Sequence, residues 1–468
     1  MRWADMAGPD LAPETSLGLL AISLALLDAV LWPRRPGRAP AFLTLGGLLV
    51  ALSLSLQAWD PVSLGRHGLL YADPVAAFAD LLILGGAVLA ALLAAGSPAP
   101  AGVRAAAGVL TALGVLGAMV AVSARDLVVL FVGLELSSAS LIAGNALGPA
   151  PASRAALRQA GPMAAATGLT LLGIACLWAG AGTSQWEQLT RGIDAGSAAM
   201  TVTGGALLLT GLAVRAGVVP FHYWVGEINA ACAPSAVMLT VTVSVVPALV
   251  VGGRLVEILA EVRPDLPSLL LAASVVTVTA GNLLALWRQR LTALLGYGVV
   301  IQAGYGLAAL AAGPGPSPGL WLQLTAAVLA LGGGLAVSGS IGRGGTAVGL
   351  ARREPLAGGA LCVCLIALAG LPPTAAFSAR AALFAGLAET PSAGFALLLA
   401  NALLSAWVFL RFAAHVAWGR EQTEETSAPD AGSLSAAVLS AGLLLLLGLW
   451  PAPVARTAEV AGAAAGFR

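Results

Sequence analysis

The sequence predicts an all-α polytopic membrane protein, and composition and patterning both support that prediction. Hydrophobic residues make up 59% of the 468-residue chain and charged residues only 10%, against roughly 45–50% and 25% in soluble domains. The apolar residues come in runs of about 20, which is the length that crosses the hydrocarbon core of a bilayer as a helix. A soluble chain of this composition would expose more apolar surface than it could cover.

We predict about 14 transmembrane helices, at about 20 apolar residues per crossing. The first, Ser16–Trp32, follows an acidic start and lacks a convincing cleavage site, so it is interpreted as a retained helix rather than a signal peptide. Loops rich in proline and polar residues separate the runs. The predicted centres, in chain order, lie at residues 24, 48, 85, 112, 137, 169, 210, 244, 277, 302, 330, 366, 403 and 442.

The layout of the crossings predicts an internal repeat within a single membrane domain. The seventh crossing is interrupted at Pro220 and the twelfth at Pro372-Pro373. The two breaks are five crossings apart, and an odd offset turns the second unit upside down, a plan that recurs in transporters. The expected parts are three N-terminal helices over about 1–100, a first five-helix repeat over 101–256, a second, inverted repeat over 266–420, and a C-terminal helix over 430–468.

Basic residues predict the orientation of the chain. All 23 of them are arginine. With the N-terminus outside, twelve fall in cytoplasmic loops and eight, Arg254 among them, on the opposite side. This mild positive-inside bias predicts both termini on the outer side of the membrane.

The remaining three arginines lie within crossings, and two of them stand beside the breaks. Arg215 precedes Pro220, and Arg380 follows Pro372-Pro373. A charge at mid-bilayer costs roughly 2.5–3.5 kcal/mol on insertion scales, so such residues usually face a partner or a wet cavity. Broken helices are tolerated at membrane depth where they line a cavity or are buried in protein. The combination predicts a transporter-like centre. The third, Arg411, is expected to snorkel from the end of the thirteenth crossing.

Two further titratable residues lie close to these arginines in the predicted arrangement. Glu135 falls deep in the fifth crossing, where Arg215 is its natural partner if the fifth and seventh crossings pack together. The alternative is a protonated Glu135 satisfied by polar neighbours. His222 follows the first break and is either a proton carrier or a hydrogen-bonded packing residue. Glu227 is expected to be an interfacial charge, and Asp28 and Asp80 structural residues.

No motif on the chain predicts a cofactor, a metal or a nucleic-acid partner. Cys362 and Cys364 form a C-x-C without further ligands, and the two other cysteines also lie in apolar surroundings, so all four are interpreted as packing residues. The Gly332–Gly334 cluster lies inside an apolar run, which predicts close helix packing rather than a nucleotide loop. There is no haem, zinc, iron–sulfur, flavin or nicotinamide signature, so no redox site is expected. No basic stripe is present.

The motifs together resemble the N subunit of bacterial NADH:quinone oxidoreductase (complex I), an antiporter-like membrane subunit. The resemblance covers nearly the whole chain. It is carried in order by Leu11–Glu14, Gly133-Leu-Glu135, Val219-Pro-Phe-His-Tyr-Trp224, Gly281-Asn282, Leu294–Tyr297 with Ala303-Gly-Tyr305, and Gly370-Leu-Pro-Pro-Thr374.

The resemblance implies proton translocation across the bacterial inner membrane, coupled to quinone reduction elsewhere in a complex of several membrane subunits. It places Glu135 at the family's fifth-helix glutamate, and Arg215 and Arg380 at lysines of the seventh and twelfth helices. The central eighth-helix lysine falls at Ser244 or Val245, in either of two registers.

Other family positions also depart from the pattern. A tenth-helix histidine is Gln302, a loop lysine is Thr292, and a sixth-helix lysine is Arg158. Arginine, with a pKa above about 12, does not release a proton. The sequence therefore retains fixed charges and loses much of the titratable axis.

Three functional classes follow from these observations. The first is an N-type subunit of complex I or of a complex-I-like assembly. The second is a subunit of a cation/proton antiporter or membrane-bound hydrogenase complex of the same fold. The third is a degenerate subunit that holds its neighbours in place and conducts nothing.

Overall fold

The structure, a computed structural model, describes residues 12–31, 38–57, 65–67, 70–96, 101–189, 198–313, 317–341, 347–389, 392–419 and 429–456. This part of the chain is almost entirely helical. The exception is an antiparallel pair of short strands, in which β1 (Gly65–His67) lies beside β2 (Leu70–Ala72) with Arg66 opposite Tyr71.

The helices of the described segments follow one another with short connections. In chain order they are α1 (Ala12–Leu31), α2 (Ala39–Gln57), α3 (Pro74–Gly96), α4 (Ala101–Ser123), α5 (Leu127–Ala146), α6 (Ala150–Ala181), α7 (Trp186–Leu189), α8 (Ala198–Ala216), α9 (Tyr223–Ala231), α10 (Pro234–Thr240), α11 (Val246–Ala260), α12 (Leu266–Leu286), α13 (Leu291–Ala311), α14 (Pro318–Ile341), α15 (Leu350–Arg353), α16 (Pro355–Ala369), α17 (Ala375–Ala388), α18 (Ala393–Trp418) and α19 (Ala431–Leu449).

Twelve helical stretches of the described chain are long and apolar enough to cross a membrane, which confirms the polytopic all-α class. Every predicted centre falls within a helical segment. The count of fourteen is not confirmed. The apolar part of α1, Pro13–Leu27, is shorter than a full crossing, and the twelfth crossing is divided between α16 and α17.

The core of the molecule is built around α14. This helix is almost completely buried and packs against α3, α10, α13, α16, α17 and α19. Its glycines allow the close approach: a Cβ atom added at Gly333 would lie 2.5 Å from Cys364 Sγ and 2.9 Å from Ser440 Cβ. The packing role predicted for Gly332–Gly334 is therefore confirmed. By contrast, α6 and α18 expose apolar side chains such as Leu157 and Leu403.

Both predicted helix breaks are present. The first separates α8 from α9 and the second separates α16 from α17. Each begins at a glycine with a left-handed backbone, Gly217 (φ 69°) and Gly370 (φ 74°), and each contains a cis Xaa-Pro bond, Val219-Pro220 and Pro372-Pro373. Glycine adopts this conformation without steric cost, and proline lacks the N–H that would continue the helix.

A π-helical turn, Val241–Val245, joins α10 to α11 in the eighth crossing. Pro234–Ala260 is thus one continuous helical stretch with a local widening near its middle. Such turns are rare and often lie at functional sites. Its position coincides with the Ser244 or Val245 register left open by the sequence.

Candidate functional site

A buried ion pair joins α5 to the last turn of α8. Arg215 Nη2 lies 2.5 Å from Glu135 Oε1, which confirms the predicted pairing, and 1% of the Arg215 side chain is exposed against 32% of the Glu135 side chain. Because an unpaired buried charge costs several kcal/mol, each residue makes the other tolerable at this depth. The cation lies inside and the carboxylate towards the lateral surface.

Polar neighbours complete the coordination of both charges. Thr167 Oγ1, on α6, lies 2.9 Å from each Glu135 carboxylate oxygen. Arg215 Nη1 donates to the Leu134 carbonyl at 3.1 Å and contacts the Ser138 hydroxyl. Glu135 therefore has a cationic partner as well as a polar one, in contrast to the alternative of a carboxyl group satisfied by polar neighbours alone.

His222 lies in the break between α8 and α9. Trp224 Nε1 donates to the Val214 carbonyl at 3.1 Å and ties the start of α9 to the end of α8. The His222 ring is partly buried and lies beside the Pro220 backbone. Glu227 pairs with Arg158 at 2.9 Å, and the Arg158 side chain is 70% exposed, so this second pair lies at the surface.

The π-helical turn lies directly against the ion pair. Ser244 Oγ donates to the Arg215 carbonyl at 2.7 Å, and Ser137 Oγ donates to the Val243 carbonyl at 2.5 Å. Ser244 therefore faces α8 beside the charged residues, while Val245 is buried among apolar side chains. The structure brings Ser244, Arg215 and Glu135 together.

Arg380 sits at the second break with a different set of partners. Its Nη1 donates to the Ala369 carbonyl at 2.7 Å and its Nη2 to the Leu368 carbonyl at 2.9 Å. Its guanidinium carbon lies 4.2 Å from the centre of the Tyr305 ring. The carbonyls end α16, where the helix dipole is negative, and an aromatic face also attracts a cation. These groups hold Arg380 without a carboxylate within the described part of the chain.

A hydrogen-bonded network continues from Tyr305 towards the lateral surface. Tyr305 Oη lies 3.2 Å from Ser405 Oγ, which donates to Asn282 Oδ1 at 2.9 Å. Asn401 Nδ2 then donates to Thr279 Oγ1 at 2.9 Å, and Asn282 Nδ2 donates to the Asn401 carbonyl at 3.2 Å. The sequence predicted none of these contacts. Polar residues in the apolar runs of three different crossings, α12, α13 and α18, were the available signal.

Gln302 lies on the other side of the second break. Its Oε1 accepts a hydrogen bond from Gln323 Nε2 at 2.6 Å, and its Nε2 lies 3.5 Å from the Leu368 carbonyl. Gln302 is thus fixed between α14 and the end of α16. An amide at this position can hold the geometry, but it does not titrate.

A second cluster of buried charges fastens one end of the bundle. Arg254 binds Asp73 through two contacts of 2.8 Å, and its guanidinium lies 5.1 Å from the centre of the Tyr71 ring. Arg125 pairs with Glu187 at 3.1 Å beside the same ring. Burial, and next the Glu187 charge, raise the pKa of Tyr71 to about 12.

This cluster corrects the treatment of Arg254 as a loop residue. Arg254 lies within α11 and is 3% exposed. Its partner is distant in sequence, and no local pattern marks the pair. Arg411 Nη2 donates to the Leu286 carbonyl at 2.5 Å and so caps the end of α12, while its predicted snorkelling stays a prediction. The side chain of Asp28 lies outside the described residues, and Asp80 is buried in α3.

The described side chains at the two breaks are mainly fixed cations, one carboxylate and neutral polar groups. Among all described residues, no three His, Cys, Asp or Glu residues are grouped as a metal site, and none of the four cysteines forms a disulfide. A carboxyl group such as that of Glu135 and an imidazole such as that of His222 can each take up and release a proton, whereas the arginines at the breaks stay charged. The arrangement can therefore hold fixed charges at mid-membrane and order water around them.

Comparisons with known proteins agree with this geometry. Residues 124–405, more than half of the chain, match the family described as NADH:quinone oxidoreductase/Mrp antiporter, TM. The NADH-quinone oxidoreductase subunit N of Cereibacter sphaeroides is 32% identical over 459 residues, which cover 94% of this chain and 96% of that protein.

Solved structures show the same architecture. A chain of respiratory complex I from Thermus thermophilus with bound aureothin superposes with a TM-score of 0.83 at 27% identity, covering 95% of this chain and 98% of that one. A chain of the Mrp complex from Dietzia sp. gives a TM-score of 0.82 at 18% identity, with 97% of each chain covered. The second likeness concerns the fold alone.

Proposed function

This chain belongs to the NADH:quinone oxidoreductase/Mrp antiporter family of membrane subunits, and from that premise we propose that it is the N-type subunit of a complex-I-like assembly. In that role it takes part in proton translocation across the bacterial inner membrane, driven by quinone reduction in other subunits. The observation that carries the proposal is the buried Glu135–Arg215 pair beside a broken helix. Its partners are the other membrane subunits of the assembly and the lipid bilayer.

Within this function we assign roles to the residues at the breaks. Glu135 is the titratable carboxylate of the first break, and Arg215 is its fixed counter-ion. His222 is the proton carrier of the first break. Arg380 is a fixed charge at the second break. Pro220 and Pro372-Pro373 maintain the breaks themselves. The contacts of Arg215 and Arg380 support these roles because each guanidinium is held by several groups.

The middle of the path, at Ser244, has to be carried by ordered water and hydroxyl groups. Of the two registers, Ser244 or Val245, we choose Ser244 for the family's central lysine because its hydroxyl contacts the backbone of Arg215. A lysine can shift its pKa when buried and hand on a proton, whereas a serine hydroxyl can only relay one through a hydrogen-bonded chain. Proton transfer is therefore expected to depend on hydration of the π-helical turn.

The orientation of the chain in the membrane and its cofactor content complete the proposal. We place both termini on the outer side of the membrane and assign no cofactor to this chain. The domain division is retained as three N-terminal helices over about 1–100, inverted repeats over 101–256 and 266–420, and a C-terminal helix over 430–468. Reporter fusions after Trp418, predicted on the cytoplasmic side, and after Leu449, predicted on the outer side, test the orientation.

The experiment that tests the function restores the missing lysine. Ser244→Lys places an ammonium group beside Arg215 in the proposed hydrated path, and proton flux in vesicles containing the assembled complex is expected to rise. Val245→Lys is the matched variant, since it buries the same charge among apolar side chains and is expected to impair assembly. Electron transfer to quinone is measured in parallel so that flux is compared per electron.

A non-conducting structural subunit is the second candidate function. The observation that favours it is the number of positions at which a titratable residue of the family is replaced here, including Ser244 and Gln302. Misassembly of both lysine variants, together with unchanged pumping per electron in Glu135→Gln, would support this candidate and contradict the proposed conduction. Co-purification with antiporter or hydrogenase subunits would instead assign the chain to that class.

A further inference from the structure

A cavity of about 560 Å³ lies between α2, α3, α4, α5 and α10, away from the second break. Its volume is within the range of small-molecule sites. Small and apolar side chains such as Ala91, Ala107, Leu141 and Leu239 form most of its wall. The cavity therefore has the size and the surface of a site for an apolar ligand.

Polar groups are gathered at one end of this cavity. Arg104, in the first turn of α4, and Asn145, in the last turn of α5, both line it. Asn145 is 3% exposed, and its Nδ2 donates to Gln159 Oε1 at 2.9 Å. Its Oδ1 is buried and has no partner among the described residues. A buried acceptor without a donor is costly, so this end is suited to a ligand group that donates a hydrogen bond.

The other end of the cavity is apolar and reaches the middle of the membrane. Gly114 follows Arg104 by ten residues on α4, which corresponds to about 15 Å along the helix. That is half of the roughly 30 Å hydrocarbon core of a bilayer. Val243, in the π-helical turn, lines the cavity at this depth, so its inner end adjoins the turn that contacts Arg215.

The wall favours a hydrocarbon chain over water. Among its few hydroxyl groups, that of Thr44 already donates to the Pro40 carbonyl at 2.9 Å, and cavities with apolar walls stay dry. We propose that this cavity binds one hydrocarbon chain with an acidic, hydrogen-bond-donating head group. The head lies at Arg104 and Asn145 and the chain extends to Gly114 and Val243. A chain gains little by leaving lipid that is equally apolar, so the head group and close packing in the cavity provide the selectivity.

The test uses the assembled complex and two photoreactive probes. Palmitic acid and phosphatidylglycerol, each with a diazirine on the hydrocarbon chain, distinguish a free fatty acid from a phospholipid as the source of the chain. The wild-type complex is expected to be labelled on the α4, α5 and α10 segments that line the cavity. Labelling is mapped by mass spectrometry of peptides.

A cavity-filling variant provides the first comparison. Gly114→Leu and Gly144→Leu together project side chains into the space, because an added Cβ at either position meets only ordinary contacts of 3.5–4.0 Å. The matched control is Gly161→Leu with Gly168→Leu on the outer face of α6, where an added Cβ has nothing within 4 Å. Labelling of the cavity segments is expected to fall about tenfold in the filled variant and to remain unchanged in the control.

The head-group contact is tested separately by Arg104→Gln, which leaves the cavity open. Loss of a hydrogen bond to a charged group is expected to lower labelling by the acidic probes about tenfold at equal concentration. Unchanged labelling in Arg104→Gln, or in the filled variant once assembly is verified, would overturn the proposal. So would labelling confined to lipid-facing segments in the wild type. The proposal does not rest on proton translocation, and its failure would leave that function untouched.

Discussion

At the scale of single residues, the two arginines at the helix breaks show two ways of keeping a charge within the membrane. Arg215 is neutralised by Glu135, whereas Arg380 is held by the terminal carbonyls of α16 and the Tyr305 ring. The first arrangement contains a carboxylate that can change its charge. The second contains none, so its positive charge is permanent.

We expect Glu135→Gln to destabilise the protein far more than Glu227→Gln. The first change leaves the buried Arg215 guanidinium without a counter-ion, and such changes cost about 3–5 kcal/mol. The second change removes the surface ion pair with Arg158. Exposed ion pairs contribute only about 0–1 kcal/mol to stability. Thermal unfolding of the detergent-purified chain measures both. Equal shifts in the two variants would contradict the importance of the buried pair.

Tyr71 gives a prediction about alkaline pH. Its pKa is raised from 10.0 to about 12 in the folded chain, so the folded state holds this proton more tightly than the unfolded state. The resulting stabilisation is complete below pH 10 and is lost as the pH rises towards 12. The chain has no lysine, so the three other tyrosines and the four cysteines are the further side chains that titrate near this interval, and the comparison with Tyr71→Phe isolates the Tyr71 hydroxyl from them.

The measurement is the unfolding midpoint of the isolated chain between pH 9 and pH 12. Wild type is expected to lose stability more steeply than Tyr71→Phe above pH 10. Tyr223→Phe, at an exposed tyrosine, serves as the control and should follow wild type. Parallel curves for wild type and Tyr71→Phe would show that the Tyr71 hydroxyl does not contribute.

Contacts between single residues were predictable where an unpaired charge would be energetically costly. Glu135 and Arg215 each required a partner in an apolar run, and that argument identified the pair. Arg254 and Asp73 required one another equally, but Arg254 stands near a predicted loop, where water could have solvated it. The amide contacts of Gln302 and Asn282 carry no charge, so no comparable cost pointed to their partners.

At the scale of helices, breaks were predictable and the π-helical turn was not. Proline and glycine mark a break locally because they alter the backbone of their own residues. The turn at Val241–Val245 adds one residue to a helix without any such residue inside it. The apolar pattern hardly changes there, since both sides of this crossing are buried.

The second break gives a prediction at this scale. Gly370→Ala is expected to destabilise the protein by about 1–3 kcal/mol, because alanine is strained at a left-handed backbone. The added Cβ would also lie 2.4 Å from the Cδ and Nε atoms of Arg380. Gly359→Ala, in the middle of α16 with nothing within 4 Å, should be neutral or stabilising.

Thermal unfolding of the two glycine variants provides the comparison, and proton flux in the assembled complex provides a second readout. If displacement of Arg380 matters for function, flux changes in Gly370→Ala even where the complex assembles normally. A Gly370→Ala protein as stable as Gly359→Ala would mean that the break tolerates a side chain.

At the scale of the whole molecule, composition was sufficient to predict the fold class but not the number of membrane crossings. Apolar content and run length identify a helical bundle in a bilayer without reference to any contact. The count depends on α1, whose apolar part is short, and on α16 and α17, which share one crossing. Window length alone cannot decide how such segments are arranged.

The isolated chain is expected to show neither NADH oxidation nor quinone reduction and to bind no redox cofactor. The reason is that its sequence contains no set of metal or haem ligands and no nucleotide-binding loop. Absorption spectroscopy and metal analysis of the purified subunit measure this directly. A stoichiometric haem, flavin or iron–sulfur signal would contradict the expectation.

Because α14 is buried, the core around it can be completed only after the later helices have been synthesised. This helix is enclosed by α3, which is synthesised early, and by α19, the last helix described. Ser440 on α19 covers Gly333 at its centre. During membrane insertion the middle of the chain therefore remains incomplete until the final helix arrives. A chain truncated before α19 would leave this central groove open to lipid and to membrane proteases.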